Sequence, residues 1–351
     1  MRTTTQKSRT TTPIQLFDDK DDFSEDKGKA TGADFFFSQL NKFHESCEER
    51  ADSIQSHLHK PVRIAVLDTG INQNNGAISG GLTMKHIQHQ NCRSWVGDNP
   101  NNVHDCHGHG TRIVELILRA APEADVYVCK VFNGARLQPD EAKNIAKAIR
   151  YAVDVWDVDI ISMSFGLTPP SPNDAQLQAA YKDIEVAIEN AGSKVFFAAA
   201  ANHGSHGPRT FPANHPSVIC IHASDGKGKD GGISPEPEST DDNFMTLGIA
   251  LNFGDERKSG TSYAAPLAAS MAAHILYVAE NLLDLSESAR HRLRTGRGMR
   301  EMFRLMCGPR CSGGYRFVAP WVRLWTQDWH LDGDKIKNIE TTVLTTDLFK
   351  Y

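Results

Sequence analysis

The sequence predicts an α/β fold, a mostly parallel sheet with helices on both faces. Three observations lead there. Short apolar, β-branched runs recur along the chain, and segments with helical apolar spacing lie between them. The runs are apolar throughout rather than alternating, as strands covered on both faces are. Several of them end in a polar residue, and functional side chains of open α/β sheets collect at the carboxyl ends of strands.

In chain order, residues 1 to about 33 are rich in Thr, Lys, Asp and Gly and carry the charge run Asp18-Asp19-Lys20-Asp21-Asp22, so they read as a loose leader. An amphipathic edge helix is predicted over 34–59, with Phe35, Leu40, Phe43 and Ile54 among charges. The first buried strand, 62–67, ends in Asp68-Thr69-Gly70. Residues 71–105 are polar and read as loops or short strands. His104-Asp105-Cys106-His107-Gly108-His109-Gly110-Thr111 then leads into a helix with Ile113, Val114, Leu116 and Ile117. A strand over 124–131, a helix over 139–156 and a strand over 159–166 follow. The next elements are a helix over 175–190 with Gly192 as its stop, then strands over 194–202 and 217–222. The Gly-, Asp-, Ser- and Pro-rich stretch 224–242 reads as a surface loop. A long apolar helix runs from Ala264 to Leu283, and another over 285–306 is interrupted near Gly296 and Gly298. Tyr315, Phe317, Trp321, Trp325 and Trp329 in the tail read as packing aromatics. The chain thus divides into a polar leader with its edge helix (1–60), a main domain (61–283) and a C-terminal helical and aromatic extension packed on it (284–351).

Composition narrows the function. A formal net charge of −5 over 351 residues lacks the basic surface that general nucleic-acid binding needs. No window reaches the roughly 18 apolar residues of a membrane span, so neither nucleic acid nor a membrane is an expected partner. The N-terminus has no apolar segment of a secretory signal, and the seven cysteines are odd in number and scattered. They read as reduced thiols of a cytoplasmic protein.

The chemistry centres on Lys258-Ser259-Gly260-Thr261-Ser262-Tyr263-Ala264-Ala265-Pro266. A serine at a helix start is either a capping residue or a nucleophile whose product oxyanion meets the helix N–H groups and dipole. A free hydroxyl is a weak nucleophile and needs a base. His109 has the intrinsic pKa to take and return a proton, and Asp68 has the chemistry to hold the imidazole and stabilise its cation. Asn202, at the end of a strand, is either a turn residue, since Asn202-His203-Gly204 has turn composition, or a side-chain donor to the oxyanion.

The segments 65–70, Gly108-His109-Gly110-Thr111 and 260–266 resemble the three signatures of the subtilisin-like serine proteases, in the order Asp, His, Ser. Ser164-Phe165-Gly166, Ala199-Ala200-Ala201-Asn202 and Phe211-Pro212-Ala213 are secondary matches. The resemblance covers roughly 61–283. It implies a subtilisin-like fold and a serine endopeptidase cutting protein or peptide substrates, with Asp68, His109 and Ser262 catalytic and Asn202 the oxyanion donor. Ser164, Phe165, Gly166, Ala199, Ala200 and Ala201 would line the substrate channel. Neither a cofactor nor a catalytic metal is implied; structural calcium is common in the family, but no ligand set maps onto this chain. Two positions depart from the pattern: Arg112 where a second histidine is common, and Ala201 where glycine is usual.

Three other readings compete. Asp68-Thr69-Gly70 also matches the aspartic-protease loop, but no second copy occurs to complete the carboxylate pair. His104, Cys106, His107 and His109 have zinc-ligand chemistry, with Cys307 and Cys311 as the only distant partners. The third is an inactive protease fold used as a protein-binding module, for which Ala201 is the best support.

Overall fold

Eight strands, every neighbouring pair parallel, make the central sheet of this computed structural model, which describes residues 12–17, 27–53, 61–137, 141–283, 285–307 and 312–323. The elements in order are β1 (Thr12–Gln15), α1 (Lys27–Ser53), β2 (Arg63–Asp68), α2 (Gly76–Thr83), β3 (Ile87–Ser94), α3 (His109–Ala120), β4 (Asp125–Lys130), β5 (Arg136–Leu137), α4 (Ala142–Asp154), β6 (Ile160–Met163), β7 (Gly166–Leu167) and α5 (Ala175–Glu189). The second half adds β8 (Val195–Ala199), β9 (Val218–Ser224), β10 (Phe244–Leu247), β11 (Leu251–Asn252), β12 (Arg257–Lys258), α6 (Thr261–Asn281), α7 (Glu287–Leu293), α8 (Gly296–Met306), β13 (Arg316–Phe317) and α9 (Pro320–Arg323). The sheet order is β13-β10-β9-β8-β6-β2-β4-β3.

Alternation along the strands splits the core in two. Ile64 and Val66 of β2, and Val195, Phe197 and Ala199 of β8, face the layer that holds α3 and α6. Ala65 and Leu67, with Phe196 and Ala198, face α4 and α5. The parity extends past the strand ends. Asp68 continues the Ile64–Val66 face and Ser164 follows Ile160 and Ser162 on β6, so both turn toward α3 and α6. The core helix α6 has the length and apolarity of a membrane span, with mean hydropathy 1.2, which the residue count above did not anticipate. It is the packed centre of this layer, with 94% of its most apolar 18-residue window buried.

Several elements differ from the sequence expectation. The loose leader contains β1, the middle strand of a small antiparallel sheet, β5-β1-β7. Helix α1 begins at Lys27, earlier than its apolar pattern predicts, and buries Phe36, Phe37, Leu40 and Phe43. Residues 71–105 hold a helix and an eight-residue strand. Glycines at 76, 80 and 81 disguise α2, but Asn75 Oδ1 caps it by accepting from the N–H groups of Ala77 and Ile78 at 2.9 and 3.2 Å. The polar composition of β3 is that of a sheet edge. Strand β10 went unread beside the polar loop that precedes it. The break between α7 and α8 falls at Arg294-Thr295, because Thr295 Oγ1 caps the new helix at Gly298 N, 3.0 Å away. Ile54, the 18–22 charge run, Cys311, Trp325 and Trp329 lie outside the described residues.

Candidate active site

Helix α3 starts on His109, and β2 ends on Asp68 facing it. His109 Nδ1 lies 2.8 and 3.0 Å from the two Asp68 carboxylate oxygens, with both side chains buried. Asp68 Oδ1 also accepts from Thr69 N at 2.8 Å, and Thr69 Oγ1 accepts from Gly110 N at 2.9 Å, which ties the strand end to the helix start. A side chain at Gly110 would collide with the Gly70 carbonyl, so this approach requires glycine. With Asp68 at Nδ1, the neutral ring carries its proton there and leaves the Nε2 lone pair on the side away from Asp68.

Asp105, which the sequence reading passed over, holds the loop before His109. Its Oδ1 accepts from His107 N (2.9 Å) and Gly108 N (2.7 Å), and its Oδ2 accepts from Thr111 N (2.9 Å) and Thr111 Oγ1 (2.7 Å). Burial works to raise this carboxyl. The donors from Thr111, Gly108 and Thr69 outweigh burial and hold it below the ordinary aspartate range. An aspartate three residues ahead of a glycine at a helix start is the sequence signal for such a loop. The His107 ring lies edge-on to that of His109, with centroids 6.4 Å apart. Among the described residues no three His, Cys, Asp or Glu side chains gather as a metal site requires.

Helix α6 begins at Thr261, making Ser262 its second residue and not its cap. The ring of Tyr263, the next residue, lies 6.1 Å from the His109 ring, so α6 starts beside the Asp68–His109 pair. Arg112 Nε donates to the Tyr263 hydroxyl at 3.2 Å, so the arginine that departs from the family pattern joins α3 to α6. Pro266 lies four residues after Ser262 and has no N–H to give the Ser262 carbonyl. Ser164 Oγ supplies that donor at 2.8 Å. Ser164 thus reaches the serine-bearing turn, and the ring of Phe165 packs in the core against Phe132 at 5.2 Å. Gly166 pairs with Gln15 of β1.

Asn202 is oriented from behind. Its Oδ1 accepts from Thr261 N (2.9 Å) and Thr261 Oγ1 (3.0 Å). A backbone N–H can only face the amide oxygen, so Nδ2 must point the other way. There it donates to the carbonyl oxygen of Phe17 at 2.8 Å, the same oxygen that accepts from Ser262 Oγ at 2.9 Å. Ala199, Ala200 and Ala201 are buried, Ala199 and Ala201 in the core layer of α6 and Ala200 in the opposite one, and Ala201 has φ +137°, a left-handed value that explains why glycine is usual there.

The subtilase family model matches residues 59–295. A subtilisin-like protease of Podospora anserina, het-Q2, is 30% identical over 258 residues, covering 61% of this chain and 69% of that protein. The minor extracellular protease Epr of Bacillus subtilis is 26% identical over 229 residues, and that match spans 60% of this chain but only 31% of Epr. In fold, the chain is similar to the epidermin leader peptide processing serine protease of Staphylococcus aureus, with a TM-score of 0.58, 17% identity and coverage of 78% and 77%. It is also similar to a cold adapted subtilisin-like serine proteinase, with a TM-score of 0.53, 20% identity and coverage of 73% and 88%. These structural likenesses concern the parallel sheet and its helices. The family match spans well over half of the chain and takes in Asp68, His109, Asn202 and Ser262, and on that ground the chain belongs to the subtilase family.

Proposed function

We propose that the chain is a serine endopeptidase that hydrolyses peptide bonds through an acyl-enzyme. The observation that carries this reading is the convergence of Ser262 Oγ and Asn202 Nδ2 on one carbonyl oxygen, beside a histidine held by a buried aspartate. His109 takes the Ser262 proton at Nε2 as Oγ attacks the substrate carbonyl carbon. Asp68 stabilises the imidazolium that results. Negative charge builds on the carbonyl oxygen, where Asn202 Nδ2 and the Ser262 N–H receive it. The C–N bond then breaks, and His109 delivers its proton to the departing amine. Water repeats the cycle on the ester, releasing the acid and restoring Ser262. Gly166 and Ala199 to Ala201 border the substrate chain, and Ser164 holds the serine rather than the substrate.

The substrates are proteins or peptides. The buried thiols of Cys47, Cys129 and Cys220, all free, fit a cytoplasmic enzyme in a reducing compartment. Labelling with a fluorophosphonate probe and mapping the modified peptide tests the mechanism. Modification belongs on Ser262 and disappears in Ser262→Ala. Modification of a different serine, or none under any condition, refutes it and favours the binding-module reading.

A further inference from the structure

Arg112 stands where the two helices that carry the proposed base and nucleophile begin. It lies three residues after His109 and so on the same face of α3. Its guanidinium sits over Gly108, the left-handed residue (φ +88°) before His109, and the place a Gly108 Cβ would take is only 3.2 Å from Nη1. From there Nε donates to the Tyr263 hydroxyl at 3.2 Å, and Nη1 donates to Glu256 Oε1 at 3.3 Å. Tyr263 is the residue after Ser262. Glu256 belongs to the turn between β11 and β12, which Phe253 N closes on the Glu256 carbonyl at 2.9 Å, and β12 leads directly to Ser259, Gly260 and the start of α6. The Tyr263 ring packs toward both sides, its centroid 6.1 Å from that of His109 and 5.3 Å from that of Phe253. One side chain of α3 therefore holds the chain just before Ser262 and the residue just after it.

Such a contact could serve stability alone, but its setting favours another role. The Glu256 side chain is 49% exposed, and an ion pair this open to water adds little to stability. The Tyr263 end differs, because that residue is fully buried and its stiff ring is attached one position from the serine. Thr69 and Gly110 tie the start of α3 to β2, and Thr261 and Asn202 tie the start of α6 to β8. Arg112 instead sets the two helix starts relative to each other. The chemistry of the side chain suits that task. A guanidinium is a planar fork that makes bonds in two fixed directions at once, whereas an imidazole has a shorter reach and a lysine brings a point charge without the fork. The departure from the family pattern at 112 is thus matched by what it touches.

We propose that Arg112 is a positioning residue of the peptidase, which sets the approach of Ser262 to His109 by gripping Tyr263 and Glu256. The proposal rests on the peptidase reading above. Proton transfer from Ser262 Oγ to His109 Nε2 requires the two atoms within about 2.6–3.2 Å. A misplacement of about 1 Å can cost about a hundredfold in rate, so a loosening of about half that size costs about tenfold. The loss falls on the chemical step. It therefore appears in kcat and leaves KM as it was.

The test measures peptide hydrolysis and fluorophosphonate labelling in full-length chains carrying Arg112→Met, Arg112→Lys, Tyr263→Phe, and Arg112→Met with Tyr263→Phe. Urea midpoints show which of them are folded. Tyr263→Phe keeps the ring and removes only the hydroxyl, so it decides the matter if a change at 112 unfolds the chain. Arg112→Met should lower kcat and the labelling rate about tenfold, and Tyr263→Phe about fivefold, both at unaltered KM. The double variant should lose no more than Arg112→Met alone, because the two changes break one link. Arg112→Lys should stay slow, since it returns the charge without the fork. Unchanged kcat in folded Arg112→Met or Tyr263→Phe overturns the positioning role. So do losses that multiply in the double variant, an effect carried wholly by KM, or full rescue by Arg112→Lys, which would make the role one of charge alone. In all of those outcomes the unaltered chain still labels and turns over, so the peptidase stands. An unaltered chain that neither labels nor turns over removes the peptidase, and the positioning role with it.

Discussion

Pro266 interrupts the hydrogen-bond ladder of α6 at the carbonyl of Ser262, and the consequence is measurable. Without an N–H at 266, that carbonyl depends on the Ser164 hydroxyl, 2.8 Å away. Ser164 is 1% exposed and Ser262 is 0% exposed, so no water replaces the bond when the hydroxyl is removed. A buried carbonyl left without a donor costs about 1–3 kcal/mol, which sets the expected loss of stability in Ser164→Ala. Pro266→Ala returns the N–H that an uninterrupted helix would have. In that background the carbonyl has a second donor, and deleting the Ser164 hydroxyl should cost about 1 kcal/mol or less, the net worth of one ordinary hydrogen bond. Urea midpoints of the four proteins, with unchanged denaturant slopes, give the coupling energy between the two sites. A coupling of about 1–2 kcal/mol is expected, with the sign that makes Ser164 less needed once the proline is gone. A Ser164→Ala penalty of the same size in both backgrounds would show that Pro266 does not create the need for Ser164.

Other expectations concern the same region and the core. Asn202→Ala should lower kcat by about 10²–10³-fold with KM little changed, the loss that removal of the corresponding donor brings in subtilisin itself; full turnover at saturating peptide would take Asn202 out of the mechanism. Ala201→Gly relieves a left-handed φ of +137° worth about 1–3 kcal/mol and gives back about 0.5–1 kcal/mol in chain entropy, so denaturation should show a net gain. A loss of stability would show that the Ala201 backbone is unstrained. Burial, with Arg209 nearby, pulls His222 down to about 3, and burial with the charge of His274 pulls His44 down to about 4. The unfolded chain, with histidines near 6.5, then binds more protons than the folded one, so stability holds above pH 6.5 and declines as pH falls below it. His222→Gln should flatten that decline between pH 6 and 5 by at most about 1.4 kcal/mol per pH unit, and an unchanged slope would contradict the assignment. Thiol titration under denaturing, non-reducing conditions should find all seven cysteines free; a protected pair would point to an oxidising compartment.

What was legible in the sequence follows from which forces act locally. Strands β2, β4, β6, β8 and β9 are apolar on both faces because helices cover both, and such runs stand out in any window. Helices α3 and α4 show their buried stripes for the same reason. The segments that escaped notice owe their form to contacts elsewhere. Thr12–Gln15 includes a proline and no run of β-branched residues, and it is a strand only because β5 and β7 offer it two edges. Helix α2 depends on a cap at Asn75 and on packing that outweigh its glycines. At the site, Asp68, His109 and Ser262 were readable as chemical types at element ends. The direction in which Ser164 and Phe165 point was not, because the motif does not reveal the parity of β6 relative to the sheet. Ser164 faces α6, Phe165 faces the opposite core layer, and Gly166 pairs with β1.

The residues that hold the site in register are neighbours of the polar four rather than the four themselves. Asp68 and His109 come from a strand and a helix whose ends are joined by Thr69 Oγ1 and Gly110 N. Asn202 follows the end of β8 and Ser262 lies in α6, and Thr261 joins them by presenting two donors to the Asn202 amide oxygen. Ser164 fixes the remaining carbonyl of the serine-bearing turn from a third strand end. The Thr69 and Ser164 links are buried, the Thr261 links partly so, and each lies one residue, or one carbonyl, away from a group assigned to the proposed chemistry. Buried hydrogen bonds are costly to lose, and a chain of them is stiffer than any of its members. A donor aimed at a developing charge is effective only if it need not move when the charge appears. For Asn202 that condition is met from behind by Thr261, which also begins the helix carrying Ser262. In the proposed mechanism, one turn of backbone therefore sets both the nucleophile and the orientation of the group that would receive the oxyanion.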